Sequence, residues 1–316
     1  MTAIQLTRLT IAFGAISDLW FIILITRAND EYNYVPVFDP DLPLWAALLT
    51  GAVVAIGLFA YGASLNDILD IRHDSAFSPD RPIPAGRIRP GQAVVVTVGA
   101  LIVAVLGGAG MGMWSVCITL LTAAGLLFYN AAGKFIPAVG VLTIGLLHAA
   151  HMLIPNHQLM FTLPIWLIMT HSMCIATAVH VLEGKRPRFR KRSIILLFFG
   201  WLVWSALILG VGMMPEGSIW PPGTNWTGII PPLLAVIAFL IVAWWKVSVV
   251  SGKVAAEKLK RYGAMWQSLY GAMWLMGLGL YVQAMWIGLF AIAGFTAMTL
   301  IKEMSGLTGK PIEYRS

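Results

Sequence analysis

Apolar stretches of about 20 residues alternate along this chain with short polar connections, and none of the long stretches shows the period-two alternation of a half-buried strand. Such lengths match the hydrocarbon thickness of a bilayer. In lipid only helices or closed barrels satisfy the backbone, and unbroken apolar runs select helices. The pattern predicts an all-α polytopic membrane protein with spans at about 8–27, 44–65, 91–111, 113–129, 136–155, 161–182, 193–213 and 228–249. A last apolar stretch, about 264–301, is too long for one comfortable span. It reads either as one tilted helix with an amphipathic lead-in or as two helices broken near Tyr281 to Ala284. The expectation is nine or ten transmembrane helices in one transmembrane domain covering 1–316.

The connections sort by charge. Segments 28–43, 156–160 and 214–227 contain no Lys or Arg, nor does the turn from Met111 to Met113. Basic residues gather in the alternate connections: Arg72, Arg81, Arg87 and Arg89; Lys134; Lys185, Arg186, Arg188, Arg190, Lys191 and Arg192; then Lys253, Lys258, Lys260 and Arg261. The positive-inside rule makes the N-terminus and these connections cytoplasmic. Lys302, Lys310 and Arg315 fit the same side, which favours ten crossings. The opening MTAIQLTRLT lacks the features of a cleaved signal, so the first apolar run reads as a retained span.

Composition agrees: 59% of the 316 residues are hydrophobic and 11% charged, with a mean hydropathy of +0.81. A soluble domain carries roughly 25% charged residues. The net charge of +7 is accounted for by topology, which argues against nucleic acid as a partner. Cys117 and Cys174 lie inside apolar runs and read as small hydrophobes rather than a disulfide framework or zinc ribbon.

One polar stretch departs from this plan. From Asn66 the chain reads NDILDIRHDSAFSPDRPIPAGRIRP, in a protein with only 14 acids. If the second span continues as a helix, Asn66, Asp70 and Asp74 lie one turn apart on one face, with Asp67 beside them. Like charges at that spacing repel. A divalent cation such as Mg²⁺, which takes one or two carboxylates and fills its other positions with water and phosphate, would relieve them. The plainer alternative is a solvated helix end whose acids pair with Arg72, Arg81 and Arg87.

This stretch resembles the UbiA superfamily of intramembrane prenyltransferases. The match runs through Asn66, Asp67, Asp70 and Asp74, then Arg81, Pro82, Pro84, Ala85 and Gly86, and FYNAAGKFIPAVG at 128–140 looks like the family's tyrosine-and-lysine segment through Tyr129 and Lys134. The resemblance implies a UbiA-like bundle with a central cavity, capped by the cytoplasmic polar loops 66–90 and 183–192. It implies transfer from a prenyl diphosphate donor to a hydrophobic, aromatic or other lipid-soluble acceptor among membrane lipids, with Mg²⁺ as cofactor. Asp67, Asp70 and Asp74 take the catalytic role and, with Asn66 and Glu183, hold metal. Arg72, Arg81, Tyr129, Lys134 and Lys185 bind substrate. The family's second acidic signature is reduced here to AVHVLEGKRPRFRKR, in which Glu183 is the single carboxylate and His180 a weaker ligand. The run after it reads as an anionic-lipid anchor. A UbiA-like lipid or quinone carrier, or a terpene cyclase of the same fold, are the alternatives.

Further polar residues interrupt the apolar runs. Asp18 reads as cavity-facing or as an interhelical hydrogen-bonding group. His148 and His151 share a helix face at a spacing that could suit a metal pair, but two His alone rarely make a site and they read as neutral, hydrogen-bonded core residues; His171 carries less signal. Asn225, Trp226 and Thr227 form a glycosylation sequon in an outer loop.

Overall fold

A computed structural model describes residues 12–28, 42–158, 161–215 and 217–307, with side chains through residue 300. The opening decapeptide, most of connection 28–43, Lys310, Arg315 and the side chain of Lys302 lie outside the described residues. Those described form helices and no strands, apart from a lone bridge between Phe161 and Ser218. The helices are α1 (Phe13–Ala28), α2 (Leu44–Leu69), the short α3 (Ile71–Phe77), α4 (Pro90–Ala109), α5 (Met113–Ala131), α6 (Pro137–Met152), α7 (Leu163–Leu182), α8 (Lys191–Gly212), α9 (Ile230–Ser248), α10 (Gly252–Gly277) and α11 (Tyr281–Leu307).

Seven of these stretches are long and apolar enough to cross a bilayer: α2, α4, α5, α7, α8, residues 227–248 containing α9, and residues 281–300 of α11. α1 and α6 have 16 residues each. α10 has the length, but its first ten residues include Lys253, Glu257, Lys258, Lys260 and Arg261. The last apolar stretch is two helices. Gly279 adopts φ +77° between them, a left-handed conformation that suits glycine at a helix C-terminus. The Leu280 amide donates to the Leu275 carbonyl at 2.9 Å, and the break falls a residue or two before the predicted position.

α1 is apolar nearly all round, and such a helix is buried. It sits between two clusters. Phe21, Ile22 and Ile25 join α6, α7 and α10 through Met152, Met169, Tyr270 and Leu275. Leu19 and Ile23 join α2, α4 and α5 through Val54, Leu58, Ala104 and Ala123. α8 lies at the periphery, where only Ser205 and Gly212 are buried, as expected of a helix presented to lipid.

Connections at the end away from the basic residues are held by polar contacts. Asn156 donates to the Thr26 hydroxyl at 3.1 Å and Ser115 to the Ile154 carbonyl at 2.7 Å. α2 and α4 approach so closely that a methyl group at Gly57 would lie 2.7 Å from the Ala104 nitrogen and 2.8 Å from the Ala100 carbonyl oxygen.

This contact predicts opposite outcomes for one substitution at two glycines. Gly57→Ala meets backbone that cannot yield and should destabilise the detergent-solubilised protein by about 1–3 kcal/mol. Gly99→Ala on α4 meets nothing within 4 Å and should be neutral or slightly stabilising. Thermal unfolding followed by circular dichroism compares them.

Candidate functional site

The polar tier forms where α2 runs out of apolar sequence. Asp70 interrupts the helix with φ −92° and ψ 7°, and α3 begins at once. The backbone ladder nevertheless continues: the Asp70 amide donates to the Asn66 carbonyl at 3.0 Å, and the Asp74 amide to the Asp70 carbonyl at 2.8 Å. The acids therefore keep a common face through the break, as helical spacing requires.

Two cations occupy that face. Arg81 donates from Nη1 to Asp74 Oδ2 at 2.5 Å and to Asp67 Oδ1 at 3.4 Å. Lys134 donates from Nζ to Asp70 Oδ1 at 2.6 Å and to Asn66 Oδ1 at 3.3 Å. Asp67 and Asp74 are 4% and 3% exposed, so their charge is largely withdrawn from water. Burial pushes the Asp74 carboxyl above its ordinary range; the Arg81 guanidinium opposes the rise, while Asp70 and Asp67 add to it.

Local packing delivers both cations. Ile83, Ile88 and Ala93 form a small apolar cluster with Ile68 and Ile71, stapling the loop after α3 onto the end of α2 with Arg81 facing the acids. Lys134 lies in a 3-10 turn at Gly133–Phe135 between α5 and α6. Just before it the buried Asn130 donates to the Gly62 carbonyl of α2 at 3.4 Å, registering α5 against the acid-bearing helix.

A second polar group lies at the end of α7. Glu183 caps that helix, accepting from Lys260 Nζ on Oε1 at 2.7 Å and from Lys185 Nζ on Oε2 at 3.2 Å. Burial alone would raise its carboxyl, yet Lys260 and Lys185 outweigh burial and hold it below its ordinary value. Tyr129 is half-buried near the end of α5.

Asn66, Asp67, Asp70, Asp74, Arg81 and Lys134 thus share one hydrogen-bonded network, with Glu183 and Lys185 in a second group. Arg72 is exposed, two residues round the helix from Asp70 and Asp74. Arg87 donates to the Asp80 carbonyl, and His180 contacts the Pro187 carbonyl at 3.0 Å. Lys260 did not stand out among the basic residues, because its partner lies 77 positions away. Asn130 was unmarked too, although an amide inside an apolar run is a local signal.

Midway along the bundle a polar layer joins four helices. Gln267 of α10 reaches His148 Nδ1 of α6 and Ser172 Oγ of α7, each at 3.2 Å. His171 contacts the Gly263 carbonyl at 3.1 Å and the Tyr270 hydroxyl at 3.3 Å. Asp18 Oδ2 of α1 lies 4.0 Å from His148 Nδ1 and makes no hydrogen bond.

Among the described residues no group of three or more His, Cys, Asp or Glu side chains is gathered closely enough to hold a metal by itself. The donor set at the end of α2 still suits Mg²⁺: carboxylate and amide oxygens only, at a site that needs one or two carboxylates if phosphate and water complete the shell. The buried charge of Asp67 and Asp74, here met by one guanidinium, is the structural observation behind that fit.

The model of the UbiA prenyltransferase family matches residues 37–269. The digeranylgeranylglyceryl phosphate synthase of Methanosarcina barkeri is 30% identical over 135 residues, covering 43% of this chain and 45% of that protein. The protoheme IX farnesyltransferase of Xanthomonas euvesicatoria is 38% identical over 69 residues, covering 20% of this chain and 23% of the relative. These matches span less than half the length of either relative. A solved structure described as digeranylgeranylglyceryl phosphate synthase in membranes superposes with a TM-score of 0.57 at 19% identity, covering 88% of this chain and 97% of the other. With residues 37–269 matched and seven stretches long and apolar enough to cross a bilayer, the chain is an integral membrane protein that belongs to the UbiA prenyltransferase family.

Proposed function

We propose that this protein moves a prenyl group from an allylic prenyl diphosphate to a lipid-soluble acceptor, at the end of the bundle where α2 terminates. The observation that supports this reading is the network of Asn66, Asp67, Asp70 and Asp74 held by Arg81 and Lys134 at the end of an apolar helix. A diphosphate suits both halves of that network: cations for its oxygens, and carboxylates for a dication bound against it. Both relatives are named for prenyl groups, geranylgeranyl in one and farnesyl in the other.

Asp67, Asp70 and Asp74, with the Asn66 amide oxygen, would hold Mg²⁺, whose charge offsets the negative charge growing on the departing diphosphate. Arg81 and Lys134 donate to the phosphate oxygens, where charge-assisted hydrogen bonds are strong. Tyr129 borders the same space. The bond between the allylic carbon and the diphosphate oxygen breaks with its electron pair on the oxygen. An electron-rich carbon or a hydroxyl of the acceptor then bonds the allylic carbon and gives up its proton, which leaves with the diphosphate or to water. The apolar interior shelters the cation from water and holds the tail, each buried CH₂ contributing about 0.8 kcal/mol. The segments 66–90 and 183–192 cap the site and, with the N-terminus, face the cytoplasm across nine or ten spans of one transmembrane domain. Arg72, exposed away from the network, takes no part in this scheme.

Chelation of divalent metal, or Asp70→Asn, should lower diphosphate release from geranylgeranyl diphosphate by about 100-fold or more, on the scale of losing a major electrostatic stabiliser. A lipid carrier of the same fold would tolerate both. Arg81→Ala removes the guanidinium that meets two buried carboxylates and should cost about 3–5 kcal/mol of stability. Adding Asp74→Ala to that variant should restore part of the loss, while Arg72→Ala stays within about 0.5 kcal/mol of wild type. Chemical denaturation of the four proteins makes the comparison.

A further inference from the structure

Asp18 has no part in the scheme above. It lies on α1, 3% exposed, and its Oδ2 makes no hydrogen bond. Buried polar atoms are nearly always paired, and leaving one unpaired costs about 1–3 kcal/mol. An orphaned carboxyl oxygen inside a helical bundle therefore marks a place where a hydrogen-bond donor is wanted.

The side chains around it supply none. Gln267 Nε2 spends both of its hydrogens, one on His148 Nδ1 and one on Ser172 Oγ, each at 3.2 Å. Because it accepts there, His148 Nδ1 turns a lone pair and not a proton outward, and this is the atom 4.0 Å from Asp18 Oδ2. The Gln267 carbonyl oxygen faces α1 at Gly14, one turn before Asp18, where an added methyl would lie 2.9 Å from it. Acceptors thus face acceptors. One turn further along α6, the buried His151 Nε2 is also without a partner.

There is room beside these groups. α6 is flanked by α1, α5, α7 and α8, and none of its residues is exposed. Yet 32% of the His148 side chain is accessible, while Asp18, Ser172 and Gln267 are buried. The ring points toward α1 and α10, so its open surface borders a space inside the bundle. Ile144, one turn before His148 on the same face, is half-buried and joins none of the apolar clusters. About 16 Å of helix separates His148 from Pro137 at the start of α6, so this space lies well below Lys134 and the tier on α2.

We propose that Asp18, His148 and Gln267 frame a further binding site, distinct from the tier on α2, for the hydroxyl of an uncharged lipid-soluble ligand, an alcohol or a phenol. The hydroxyl donates its hydrogen to Asp18 Oδ2, and the apolar body of the ligand lies against Ile144. An anionic headgroup would meet a carboxyl and a carbonyl oxygen, with no Lys or Arg among the residues of the layer to offset them. A wholly apolar ligand would leave Asp18 unmet. Occupancy requires neither diphosphate nor metal, so its failure leaves the prenyl-diphosphate reading untouched.

The test dialyses the full chain in neutral detergent against radiolabelled p-cresol or p-xylene, which differ by a hydroxyl in place of a methyl, with empty micelles as the blank. Saturable p-cresol binding about tenfold or more tighter than that of p-xylene is expected, the scale of one hydrogen bond to a buried acceptor. Asp18→Asn keeps the shape but brings its own donor hydrogens, and should reduce the discrimination to about twofold or less. Asp18→Leu should abolish it, and thermal unfolding checks that each variant is folded. Equal binding of the two probes by the wild type, or discrimination retained in folded Asp18→Asn, overturns the proposal. So does p-cresol uptake no greater than that of empty micelles, which would leave the layer to water alone. Displacement of p-cresol by benzylamine at lower concentration than by unlabelled p-cresol would assign the site to a cation, and overturns it as well.

Discussion

Carboxylates withdrawn from water at the end of an apolar helix cannot stand alone, and the polar end of this bundle is organised around that fact. Burying a charge costs several kcal/mol unless an opposite charge and hydrogen bonds accompany it. Asp67 and Asp74, both buried, are met by Arg81, and Asp70 by Lys134. The cations in turn fix the loops that carry them. The loop after α3 folds back onto the end of α2, and the turn between α5 and α6 is drawn to the same face. The diphosphate and metal proposed for this site would enter by exchange of partners, each charge they bring finding an opposite one already in position.

What the chain displays locally was legible in its sequence. Apolar runs predict helices because lipid leaves the backbone no other open choice, and eight of the long helices fall within a few residues of their expected places. The acid tier was legible for the same reason, since four-residue spacing fixes a shared face whether or not Asp70 interrupts the helix. The final apolar stretch was ambiguous in sequence because both readings bury the same residues. Gly279 decides between them through its left-handed backbone.

Contacts between distant segments were not legible. Of the three arginines expected beside the acids, Arg81 pairs with Asp74 and Asp67, whereas Arg72 is turned away by its two-residue offset from Asp70, and Asp70 is met instead by Lys134 from 64 positions on. Glu183 looked like a reduced acidic signature, whereas its environment is set by Lys260 on a helix 77 positions later. The mid-bundle layer repeats the lesson. His148 and His171 were visible as oddities, but Gln267, which links His148 to Ser172, drew no notice within a helix of mixed polarity.

The glycine contacts between α2 and α4 bear on how such a protein can diversify. At Gly57 and Gly107 an added carbon meets main-chain atoms of the facing helix, so the seam between α2 and α4 is closed to changes of volume at these two points. At some other glycines the tight contact is a side chain, Leu142 at Gly200 and Phe21 at Gly271, which rotates or can itself be exchanged. Relatives that accommodate larger or smaller hydrophobic guests would therefore differ at side-chain contacts of this kind and not at Gly57 or Gly107. The seam between α2 and α4 would be inherited almost as a casting, and novelty would accumulate where side chains can give way.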